Sequence, residues 1–166
     1  MSVASSAAVR LETTTNQIIS EARGLPPALV KWIPAEGVWS VMDLLCHIRE
    51  FVPYWTNEAL QIVRDPEQPW GRDHTDPGRL AAVANTSSYE LADVLASIHD
   101  AVQQSIGSLN GLSDAELATE AMSRNPRWGR KPASFVLEHL IVQHIENHLG
   151  QIRRNVAQFA GARTKP

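Results

Sequence analysis

Gln143-His144-Ile145-Glu146-Asn147-His148-Leu149-Gly150-Gln151 places two histidines four residues apart in a stretch with helical spacing. At ~100° per residue, Leu137, Ile141, Ile145, Ile152, Val156 and Phe159 fall on one face, with His144 and His148 within it or at its edge. An i, i+4 pair sets both imidazoles on one side of a helix at neighbouring heights, so one helix can supply two ligands. His139 falls on the opposite side. Glu146, two residues after His144, is turned away by roughly 200°. A helical zinc-protease motif needs glutamate directly after its first histidine, so a metalloprotease is excluded.

A third histidine completes the pattern. His47 lies in Trp39-Ser40-Val41-Met42-Asp43-Leu44-Leu45-Cys46-His47-Ile48, at the edge of a face formed by Leu44, Phe51 and Trp55. Two apolar helix faces that carry three histidines between them point to a divalent metal held inside a helical bundle, where facing helices commonly build such sites. Three neutral imidazoles leave the ion's charge uncancelled and a coordination position open, which is the pattern of a reactive site. Imidazole suits zinc, nickel, copper or iron. The competing reading is three histidines packed in a core without a metal. Asp43, Glu50 and Gln151, each one turn from a ligand histidine, are candidates to orient the rings. Asp43 and His74 are candidate bases, and His74 or His99 is a candidate fourth ligand or proton carrier.

Outward from these helices the chain reads as all-α. Ser5 to Arg23 predicts a first helix, ended by Gly24-Leu25-Pro26-Pro27, with a short turn over Ala28 to Ile33. Ser40 with Asp43 resembles a capping box, and a second helix follows to Arg64 with a kink at Pro53. Asp65 to Ser87 is too long for a simple bundle connection; Trp70, Arg72, Asp73 and His74 make it either a pocket wall or a crossover pinned by Trp70. A third helix runs from Ser87-Ser88-Tyr89-Glu90 to Gly111. Ser113 to Arg130 is irregular with one turn at Asp114 to Ala118. A fourth helix starts at Pro132 in its first turn and runs to Ala160, and residues 161–166 form a frayed tail. No strand pair is expected. Four helices of about 20 residues with long crossings form a four-helix bundle, and residues 1–166 form one domain.

The composition narrows the function. A net charge of −3 with interspersed signs lacks the basic stripe of a nucleic-acid binder. No apolar run approaches the ~20 residues of a membrane span, and the N-terminus lacks the pattern of a secretory signal. Cys46 is the only cysteine, so no intrachain disulfide forms and a reducing, cytoplasmic setting is expected. Trp32 and Trp128 are candidate dimer contacts.

Trp39-Ser40, Asp43 through Glu50, and His144-x-x-x-His148-x-Gly150-Gln151-Ile152 together resemble the DinB/YfiT-like superfamily, which includes mycothiol-dependent maleylpyruvate isomerases and bacillithiol transferases. The resemblance spans about Leu29 to Val156. It implies a four-helix bundle of up-down-down-up topology with long crossover loops, often a homodimer. It also implies a divalent metal, zinc or nickel, on His47, His144 and His148. The implied activity is metal-dependent S-transfer from a low-molecular-weight thiol to a small-molecule substrate, or a related metal-dependent hydrolysis. The alternative is a non-catalytic metal-binding stress-response protein. Many members carry arginine where this chain has Leu149, which puts in doubt here any anion-binding role that the arginine has in them.

Overall fold

The structure, a computed structural model, describes residues 1–163. Its first helix, α1 (Val3–Arg23), begins where Ser2 Oγ accepts from the Ser5 N–H, and it buries Ala4, Ala7, Leu11, Ile18 and Ala22 along one stripe. Prolines then allow only a single turn, α2 (Pro27–Val30). The predicted capping box is present at the start of α3 (Val41–Arg64): the Asp43 N–H donates to Ser40 Oγ, and Asp43 Oδ2 accepts from the Ser40 N–H at 2.9 Å. Two orphan donors of the first turn are thereby satisfied. The helix continues through Pro53, and its buried face includes Leu44, His47, Ile48, Phe51, Trp55 and Ile62.

The crossover from α3 contains a short helix, α4 (Pro77–Ala82), capped by Asp76, whose carboxylate accepts from the Arg79 N–H. Trp70 is fully buried. Its indole N–H donates to the Ala121 carbonyl at 2.9 Å, and its backbone pairs with Met122 and Arg124. Trp70 therefore pins the crossover rather than forming a movable wall. Gly71 has φ +89°, and a Cβ there would stand 3.2 Å from Ser123 Oγ, so the turn after Trp70 needs glycine.

Helix α5 (Leu91–Leu109) and the capped turn α6 (Asp114–Leu117) follow. The structure then departs from the sequence expectation. β1 (Glu120–Met122) and β2 (Arg130–Pro132) form an antiparallel pair, with Ala121 opposite Lys131. Strands of three residues are too short to show alternation. Pro132, whose lack of an N–H suits a first helical turn equally well, is extended and precedes the helix. The last helix is continuous in three segments: α7 (Ala133–Phe135), a π-type segment over Val136–Val142, and α8 (Gln143–Arg163). It runs three residues into the expected tail; residues 164–166 of that tail lie outside the described residues.

Contacts between helices give the directions. Arg10 bonds Glu138 and Glu146, and Glu21 bonds Arg153, so α1 and the last helix run parallel. The Val3 N–H donates to Asp114, just beyond the end of α5, so α1 and α5 are antiparallel. Asn155 bonds the Trp39 carbonyl while Phe51 stacks on His144, so α3 opposes the last helix. The order is up-down-down-up. Helices α5 and the last helix each pack against both α1 and α3. Because α3 and α5 run parallel, a long crossover is obligatory. Trp32 and Trp128 are half-buried rather than exposed, edge-on to Phe159 and Phe135 respectively. No described helix is long and apolar enough to cross a membrane.

Candidate metal centre

The antiparallel packing of α3 on the last helix brings His47 against the first two turns of α8. Ring centroids are 5.3 Å apart for His47 and His144, 5.1 Å for His47 and His148, and 4.6 Å for His144 and His148. One nitrogen from each ring lies within 4.8 Å of the others, and these are the only such group of possible ligands among the described residues. A tetrahedral ion with bonds of about 2.0–2.1 Å spaces its ligand atoms roughly 3.4 Å apart, a contraction that small ring rotations supply.

The π-type segment ends at Val142, immediately before this site. Its wider turns advance fewer degrees per residue than an α-helix, so the register of the histidines relative to Leu137 and Ile141 is set there. Such wide turns recur at functional sites.

The surroundings keep the rings neutral. Burial, followed by the positive character of the neighbouring rings, pushes His47 down to about 2. Burial likewise takes His144 down to about 3 and lowers His148 despite its hydrogen bond. Phe51 stacks on His144 at 4.0 Å, and Trp39 stands edge-on to His47 at 5.0 Å. Two tautomers are set by neighbours. His148 Nδ1 donates to Gln151 Oε1 at 2.6 Å, and His144 Nδ1 donates to the Leu140 carbonyl at 3.3 Å. Each neutral ring is left with an Nε2 lone pair. His148 Nε2 and His47 Nδ1 are buried without a hydrogen-bond partner. An unpartnered buried nitrogen is costly, and a cation against the His148 Nε2 lone pair removes that cost there. The residues present therefore fit a divalent metal.

The crossover covers this end of the bundle with two arginines, both close enough to lower His47 and His144 further. Arg72 is spent on carboxylates, gripping both Glu50 oxygens at 2.6 and 2.7 Å and Asp76 at 2.9 Å. Arg79 lies over the Trp39 ring at 5.3 Å, and among the described residues its side chain bonds only the His74 carbonyl. Sequence reading missed Arg79, since nothing local marks it; its place depends on α4 folding back over α3.

The other expectations sort by position. Gln151 does orient His148. Both Asp43 oxygens are engaged, by Ser40 and by Thr86 Oγ1, so the carboxylate is held in structural bonds. His74 is exposed on the crossover, and His99 is exposed on α5 beside Asp100; neither joins the ligand group. His139 bonds Gln143 on the outer surface, and Arg10 holds Glu146 away from the triad. Leu149 is a core residue, 6% exposed. A cleft of about 630 Å³ between α1 and α5 shares no residue with the triad. A smaller cavity of about 340 Å³ does border it, through Trp39 and Gln151.

These features define a four-helix bundle with a three-histidine cluster at one end, His47 and His148 buried and His144 half-buried. Residues 10–152 match the model of the DinB superfamily, and the chain belongs to that superfamily. Among solved structures it is similar to YfiT from Bacillus subtilis, described as a probable metal-dependent hydrolase with an unusual four-helix bundle topology. That match has TM-score 0.79 at 12% identity, covering 95% of this chain and 87% of YfiT. It is also similar to a mycothiol-dependent maleylpyruvate isomerase, with TM-score 0.69 at 15% identity, covering 90% of this chain. The chain spans 60% of the isomerase's length. No curated protein matches the chain by sequence.

Proposed function

We propose that this protein is a metal-dependent enzyme that activates a low-molecular-weight thiol for transfer to a small electrophile. The observation that carries the reading is the triad itself: three neutral imidazoles gathered together, His47 and His148 buried and His144 half-buried, with His148 Nε2 left unpartnered among the described residues. His47, His144 and His148 would hold zinc or nickel. When bound, such an ion lowers the pKa of a coordinated thiol and favours the thiolate.

The chain's own residues supply the rest. Trp39 and Phe51 wall the rings and exclude water, which strengthens charge interactions there. Gln151 fixes the tautomer of His148. Arg79 is a cation over the site whose side chain meets no carboxylate among the described residues, and it would attract an anionic group of the thiol or the acceptor. It would thus take the role expected of the arginine that Leu149 replaces. The cavity beside Trp39 and Gln151, also lined by Arg154 and Gln158, has room for the tail of a small thiol.

A second reading is hydrolysis, in which the open position activates water. It is favoured by the likeness to YfiT and its printed description. Titrating thiols into cobalt-loaded protein separates the two. Transfer predicts a thiolate-to-cobalt absorption that saturates and weakens in the Arg79→Ala variant when the thiol carries a carboxylate. If no thiol produces that absorption at millimolar concentration, transfer is wrong and hydrolysis stands. Stoichiometric metal with neither activity would leave the non-catalytic metal-binding protein.

A further inference from the structure

Two of the three imidazoles have a hydrogen-bond partner that selects their tautomer, and His47 has none. Its Nδ1 is buried and unpartnered. A carboxylate oxygen, Glu50 Oε2, stands 4.0 Å away, one turn further along α3. That is beyond hydrogen-bond distance by about 1 Å. Glu50 is not a loose surface residue. Arg72 grips both of its oxygens, and Arg72 is itself only 7% exposed. The same guanidinium lies 3.7 Å from the centre of the Tyr54 ring and bonds Asp76, the cap of α4. A carboxylate held on both oxygens by a nearly buried, stacked arginine cannot swing out to solvent.

We propose that Glu50 is the positioning residue of His47, accepting its Nδ1–H when a divalent ion takes the Nε2 lone pair. The proposal rests on the three-histidine metal site. A histidine bound to a metal through Nε2 must carry its proton on Nδ1, and a buried N–H with no acceptor weakens binding. Metal-ligating histidines almost always give that proton to a carboxylate, carbonyl or water, and losing the acceptor typically costs roughly 10–100-fold in affinity. Gln151 and the Leu140 carbonyl already serve the other two rings. Glu50 completes the set, and Arg72 makes its placement depend on the crossover.

The test compares zinc affinity, by competition with a chromophoric chelator, with the urea stability of the metal-free protein. It uses wild type, Glu50→Ala, and the double variant Glu50→Leu/Arg72→Leu, which removes both members of the ion pair together. Expected is a rise in the zinc Kd of roughly 10-fold or more in both variants. In the double variant, metal-free stability stays near wild type. Shifted cobalt d–d bands are expected too, because the geometry of a ligand has changed; a purely structural residue would leave them in place. A zinc Kd within twofold of wild type in Glu50→Ala overturns the assignment, whether or not the double variant folds. Wild type that binds no divalent ion refutes the metal site itself, before any variant is compared.

Discussion

His47 and His144 are neutral in the fold at any ordinary pH, because burial holds them at about 2 and about 3. In the unfolded chain they return to about 6.5. As pH falls below that value the unfolded state binds protons that the fold refuses, so stability drops with acidification until the folded values are reached. Each ring contributes a slope of about 1.4 kcal/mol per pH unit. Metal-free protein should therefore lose stability steeply between about pH 6 and pH 4. Replacing His47 with leucine should flatten that slope by about one ring's share. Urea midpoints of the two proteins at both pH values check this, since the carboxylate contributions common to both cancel. Parallel pH profiles would mean that His47 is not held neutral by the fold.

At the scale of elements, the start of α3 decides whether His47 is presented to α8 at all. Asp43 closes the capping box and also ties α3 to Thr86 on the approach to α5. Asp43→Ala keeps the Ser40 cap but loses the carboxylate's bonds to the Ser40 N–H and to Thr86, and hydrogen bonds to charged groups contribute about 1.5–3 kcal/mol each, so it should destabilise by about 2 kcal/mol. Because Asp43 works through these bonds, zinc affinity should change by less than about twofold, well below the loss expected for an orienting group. Parallel denaturation and chelator competition would show it. A tenfold loss of affinity with unchanged stability would instead return Asp43 to the site. Helix starts of this kind are local, and the Ser40–Asp43 spacing made this one legible. The β1–β2 pair and the π-type segment were not. Three-residue strands show no alternation, and a wide turn leaves no mark in a sequence read at 100° per residue.

The whole molecule binds metal, on the proposed reading, only when α3 and α8 are packed together, so metal and folding are linked. With a divalent ion at about 100 times its Kd, the unfolding free energy should rise by about 2.7 kcal/mol, and a chelator should reverse the gain. The same titration on His144→Ala should give almost no shift. Equal stabilisation of both proteins would place the ion elsewhere. The helical directions have a further consequence. Since α3 and α5 are parallel, the chain must cross the length of the bundle, and that crossover is what carries Arg72 and Arg79 over the triad.

The sequence by itself determined the helical faces, the capping box and the pairing of His144 with His148, because each depends on residues within one or two turns. It also marked His47 as the third histidine through the apolar face it shares with Leu44, Phe51 and Trp55. Only the tertiary structure decided that Trp70 is a buried pin and that Thr86 takes the second oxygen of Asp43. It also decided that His74 stands outside the ligand group, and that Arg79 is a cation over the site with no carboxylate partner among the described residues. Each of these is settled by partners many residues distant in sequence, such as Ala121 for Trp70 and Trp39 for Arg79. A crossover held in place by long-range bonds has no periodicity from which its position can be read.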